Sequence, residues 1–124
     1  MSKQHIANVI EENYDTAFQY GTWDCCIFAA TCVEPEFVSE LLGKYDTQQG
    51  AIDKIESMGG FDEKLTELGW TQITKEYART GDLACTRVND NLGVVQGGEI
   101  ILLTLDSMTR KPIARAQTVW RKNV

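Results

Sequence analysis

Trp23-Asp24-Cys25-Cys26-Ile27-Phe28 is the stretch whose reading decides the fold. It follows Gly21 and opens an almost unbroken apolar run, Cys25 through Ala30, then Cys32 and Val33. By length alone such a run fits a buried helix or a buried strand. Ala29, Ala30 and the thiols are small, so as a helix it can pack on all sides. The helical reading makes Asp24 the N-cap, its carboxylate accepting from exposed backbone amides, and puts Cys25 in the first turn. A thiol there sits at the positive end of the helix macrodipole, a field that favours thiolate over thiol. Polar cap, first-turn cysteine and apolar helix together are the layout of a nucleophile. The same residues also read as plain core, because cysteine is among the most often buried residue types. Cys26, turned about 100° from Cys25, reads as core on either account.

On the N-terminal side, residues 3 to 14 carry Ile6, Val9, Ile10 and Tyr14 on one helical stripe, with Ser2 as cap and His5 in the first turn as a surface residue. On the C-terminal side, Glu34-Pro35 breaks the pattern. Phe37, Leu41 and Leu42 form a short helix ended by Gly43. Asp46-Thr47 caps a further helix running to Met58, with Ala51, Ile52, Ile55 and Met58 inward, and Phe61 to Leu68 is another. The back half changes character. Trp70–Thr74, Asp82–Val88, Leu92–Gln96 and Ile100–Leu105 read as strands, and Gly97-Gly98 between two apolar runs is the best hairpin signal. Pro112 then admits a last strand, Ala114–Trp120. Helices first and an antiparallel sheet after is an α+β order, expected as a single domain over residues 1–124.

A chain of 124 residues buries roughly two-thirds of its unfolded surface, enough for a core without staples. Hydrophobic content of 43% and charged content of 24% are those of a globular protein. Twelve Lys and Arg against eighteen Asp and Glu give a net charge of −6, which argues against nucleic acid as a partner. No apolar run approaches the roughly 18 residues that span a bilayer, so no membrane partner is expected. Met-Ser-Lys-Gln-His lacks the apolar core of a secretory signal, which implies synthesis in a cytoplasm. There thiols stay reduced, so Cys25, Cys26, Cys32 and Cys85 are not a disulfide framework. With no C-x-x-C pair and one remote histidine they are not a zinc site either, and no metal or cofactor is expected.

Asp24-Cys25-Cys26-Ile27-Phe28-Ala29 resembles the Asp-Cys-Ser-Gly-Phe-Val stretch of NlpC-type cysteine peptidases, the papain-like cell-wall endopeptidases. Gly81-Asp82-Leu83-Ala84 is similar to that family's Gly-Asp-Leu-Val strand opening. Asn91-Leu92-Gly93-Val94-Val95-Gln96-Gly97 resembles its His-Val-Gly-Ile-Tyr-x-Gly strand. A phage and prophage group of tail-associated NlpC-like proteins is closer still. It shares a Trp-Gly-x-x-Asp-Cys-like opening, a Gly-x-Tyr followed by Gly-Ala, and a C-terminal Ala-x-x-x-Trp-Arg. Here these are Tyr20 to Cys25, Gly43-Lys44-Tyr45 with Gly50-Ala51, and Ala116 to Arg121.

The resemblance implies a papain-like fold with Cys25 at the nucleophile position and Asn91 at the position of the general base. Asparagine cannot take a proton from a thiol at neutral pH, and the single histidine of the chain is His5. The implied site is therefore degenerate, with Tyr20, Trp23 and Asp24 as candidate binding residues around it. Trp23 and Tyr20 read more readily as core aromatics than as binding residues. The resemblance implies a phage tail or baseplate component in the virion, made in the bacterial host and contacting other virion proteins. The alternative is an active peptidoglycan endopeptidase whose missing base comes from elsewhere, and a third reading is a small toxin or regulator on the same scaffold.

Overall fold

Polar caps set the helix starts. The computed structural model describes residues 2–87 and 90–122. Helix α1 (Lys3–Glu12) begins after Ser2, whose hydroxyl accepts from the His5 amide at 3.0 Å. Helix α2 (Cys25–Val33) begins after Asp24, which accepts from the Ile27 amide at 3.0 Å. Helix α3 (Pro35–Leu41) opens on Pro35, a first-turn position where a missing amide costs nothing. Helix α4 (Gln48–Ser57) starts after Thr47, whose hydroxyl accepts from Gly50, and α5 (Gly60–Glu67) completes the helical half.

The strands are β1 (Trp70–Ile73), β2 (Leu83–Arg87), β3 (Asp90–Gln96), β4 (Glu99–Leu103), β5 (Met108–Pro112) and β6 (Thr118–Lys122). They form one sheet in the order β1-β6-β2-β3-β4-β5, each neighbouring pair antiparallel. The fold is α+β, as the residue order predicts. Gly97 and Gly98 turn the β3–β4 hairpin with φ of +61° and +85°, conformations that glycine adopts without steric cost.

Both faces of the sheet are covered, which is why its central strands read as continuous apolar runs. Leu83, Cys85, Leu92, Val94, Ile101, Leu103 and Trp120 face the helices and join the fully buried α2 residues in the main core. The alternate positions Ala84, Val95, Ile100, Leu102 and Val119 form a smaller cluster on the opposite face, roofed by Ala78, Ile113 and Ala116. The length of α2 is buried, from Cys25 to Val33, with only Thr31 half-exposed. It is the hub on which α1, α3, β3 and β4 pack.

The structure corrects several boundaries. Tyr14 lies beyond the end of α1 and is 70% exposed, so it is not part of that helix's inward stripe. Strand β5 has no apolar alternation in Met-Thr-Arg-Lys-Pro, and only its pairing with β4 reveals it. The last strand begins at Thr118 rather than Ala114, because Ile113–Arg115 forms a 3-10 turn that buries Ala116 in the smaller cluster. Val88 and Asn89, the end of the second predicted strand and the start of its turn, lie outside the described residues, as do Met1, Asn123 and Val124.

Candidate functional site

Asp24 is 2% exposed, and a carboxylate so deeply buried needs partners. It has three. Oδ1 accepts from the Ile27 amide, while Oδ2 accepts from the Gly21 amide at 2.9 Å and from the Tyr45 hydroxyl at 2.7 Å. One side chain thus caps α2, closes the Gly21–Asp24 turn and fastens the loop before α4. Gly21 has φ of +81°, and a Cβ there would sit 1.8 Å from the Tyr45 carbonyl oxygen, so glycine is required. The Gly43 amide donates back to the Gly21 carbonyl at 2.8 Å. Burial, reinforced by the Asp24 carboxylate, pushes the Tyr45 hydroxyl up, which keeps it a donor far into alkali.

Against this frame sits Cys25, 6% exposed, with its Sγ 3.9 Å from that of Cys26. A pocket of about 250 Å³ opens at the N-terminal end of α2, and both Cys25 and Asn91 line it, together with Phe18, Tyr20, Gln48 and Asp106. Asn91 stands at the start of β3, the strand against which α2 packs. Its φ of +53° is in the left-handed region, where asparagine, aspartate and histidine are the side chains best tolerated. Tyr20 is on the pocket wall, paired edge-on with Phe18 at 4.8 Å. Trp23 turns instead to the core, edge-on to Phe28 at 6.0 Å, with its indole N–H buried and unpaired among the described residues.

The histidine is elsewhere. His5 Nε2 lies 3.1 Å from the Thr31 carbonyl oxygen, about 9 Å of helix rise away from Cys25. Among the described residues lining the pocket there is no imidazole and no cationic side chain, and Asp106 adds a carboxylate. The hydrogen bond with Cys25 and burial push the Cys26 thiol well up, and burial pushes Cys32 and Cys85 up to about 12.

A second latch joins two further sequence motifs. Arg121 donates bidentately to Asp82, Nε to Oδ1 at 3.0 Å and Nη2 to Oδ2 at 2.7 Å, and Nη2 also reaches the Tyr77 carbonyl at 2.8 Å. Beside it Leu83 pairs with Trp120 across β2 and β6. The Asp82 carboxylate in turn raises the Arg121 guanidinium above its already high range. Gly-Asp-Leu and Trp-Arg are therefore two halves of one structural joint.

Phe18, Gln48 and Asp106 were not legible as site residues. They arrive from a coil, a helix start and a hairpin tip, and no spacing links them. Among the described residues no group of three or more His, Cys, Asp or Glu is arranged to hold a metal ion, and no helix is long and apolar enough to cross a membrane. No curated protein and no solved structure shows significant similarity to the chain. One family model does match, over residues 2–122, and by it the chain belongs to DUF6950, a domain family of unknown function.

Proposed function

We propose that the chain is a degenerate papain-like domain of the NlpC type that serves as a structural and docking component of a phage tail or baseplate. Supporting this reading is the pocket at the start of α2, where the cysteine at the family's nucleophile position shares a wall with asparagine at its base position. The helices-then-sheet order agrees with it, and so does a single histidine tied to Thr31. Cysteine peptidase chemistry needs a base that makes the thiolate and later protonates the leaving amine. Asn91 does neither, so the domain contributes through its surface, and the partners are other virion proteins. Endopeptidase action on peptidoglycan is the competing reading, favoured only by the first-turn placement of Cys25.

Two measurements test it. Alkylation of the folded protein with iodoacetamide should be slow at pH 6 at all four cysteines, with Cys25 the first to react as pH rises. Fast modification of Cys25 at pH 6 would reveal an activated nucleophile and contradict the reading. Mass spectrometry of gradient-purified phage particles should recover the chain in fixed proportion to tail proteins, and its absence from particles would remove the virion role.

A further inference from the structure

The Cys25 pocket is one end of a longer groove. A second recess, of about 510 Å³, shares with it the wall formed by Phe18 and residues 103–106 and extends to Tyr14, Asp15 and Met108. Its walls are held from both sides. Thr104 and Ser107 tie the β4–β5 turn with a backbone bond at 2.9 Å and two bonds through the Thr104 hydroxyl, which presents Leu105 and Asp106 at the tip. Opposite, Thr16 is bonded to Asn13 through its amide at 3.0 Å and its hydroxyl at 3.2 Å, and Asn13 to the Val9 carbonyl at 2.9 Å. Two of the large apolar side chains the fold leaves exposed flank this groove, Tyr14 at 70% and Leu105 at 71%.

Its charge is of one sign. Asp15 and Asp106 are the charged side chains among the described residues lining the two recesses, and no lysine or arginine is there to pair with them. Tyr14, Phe18 and Tyr20 add three aromatic rings. Carboxylates beside aromatic faces recognise a guanidinium, by charge-assisted hydrogen bonds and by cation–π stacking, and the apolar walls suit a neighbouring apolar side chain. Walls already fixed by hydrogen bonds lose little entropy when they bind.

We infer that this groove docks an extended peptide segment of another protein, with an arginine between Asp15 and Asp106 and an adjacent apolar or aromatic side chain against Phe18 and Leu105. The inference rests on the docking reading above and names the chemistry of the partner.

The test uses the full chain and two blocked hexapeptides, Gly-Leu-Arg-Trp-Leu-Gly and the same sequence with citrulline for arginine. Binding is followed by ¹⁵N-resolved amide shifts. With the arginine peptide, shifts should concentrate on residues 14–20 and 103–108, and the citrulline peptide should bind about fivefold more weakly. Asp106→Asn should lose most of that discrimination, while Asp53→Asn, at an exposed α4 position that lines neither recess, should retain it. Equal affinity for the two peptides, or shifts scattered over the surface, would overturn the inference. So would shifts in the groove with chitotetraose and none with either peptide, since that outcome assigns the groove to glycan. A separate assay for Cys25-dependent hydrolysis of muropeptides distinguishes failure of the docking reading from failure of the peptide chemistry: turnover there overturns the scaffold, whereas loss of arginine preference without turnover overturns only the groove's ligand.

Discussion

Asp24 shows what a residue in a recognisable motif can be for. Its carboxylate is consumed by three donors, so the Asp-Cys pair at the start of α2 is explained by folding before any chemistry is invoked. Asp24→Ala removes a cap worth about 1 kcal/mol, orphans the buried Gly21 amide at about 1–3 kcal/mol and takes the acceptor from the half-buried Tyr45 hydroxyl at a smaller cost. Urea unfolding should therefore show a loss of about 3–4 kcal/mol, with Asn recovering part because its carbonyl still accepts from Ile27. A loss below 1 kcal/mol would mean the loop is held by something else. The buried thiols make a second prediction. Cys32 and Cys85 are raised in the folded state to about 12, from about 8.5 when unfolded. The folded chain then holds protons that the unfolded chain releases, so their contribution to stability is whole below pH 8.5 and is lost as pH rises toward 12. Stability measured across that window should fall less steeply in Cys32→Ala/Cys85→Ala than in the parent, by up to one proton per thiol. Equal slopes would contradict the burial of these groups.

At the level of elements, the two latches do the joining. Asp24, Gly21 and Tyr45 tie the α2 start to the loop before α4, and Asp82 with Arg121 ties the start of β2 to β6. Asp82 is nearly buried while Arg121 is about one-third exposed. Arg121→Lys keeps the charge but not the parallel pair of bonds, and should cost about 2 kcal/mol. A double-mutant cycle of Arg121→Ala with Asp82→Asn should return a coupling of about 1–2 kcal/mol, and additive losses would show that the pair is incidental. The elements also show what was legible in the sequence. Helix starts followed from Ser2, Asp24 and Thr47, because a cap is a local matter of one side chain and one amide. The β3–β4 hairpin followed from its glycine pair. Strand β5 did not, since an exposed edge strand needs no apolar alternation and its only signature is pairing with β4. The pocket was half legible: Cys25, Asn91 and Tyr20 were, whereas Phe18, Gln48 and Asp106 depend on how the 14–20 coil and the β4–β5 turn approach α2.

Taken whole, the molecule buries all of its most nucleophile-like helix but the half-exposed Thr31, and leaves one thiol at the edge of a small pocket. That pocket is acidic and aromatic, with no imidazole among the described residues lining it, in a chain of net charge −6. On the proposed NlpC-type reading, an active site would place an imidazole where Asn91 stands. The backbone there, at φ of +53°, tolerates histidine as well as asparagine, so Asn91→His should fold and makes a clean comparison. Losing a positioned acid–base removes about 10² to 10⁴ in rate, which would leave peptide cleavage indistinguishable from background. The most direct measurement is incubation of the purified protein with muropeptides, following new amino groups, beside Cys25→Ala and Asn91→His. The account predicts no release above the Cys25→Ala level for the natural sequence. Turnover by the natural sequence that disappears in Cys25→Ala would contradict it.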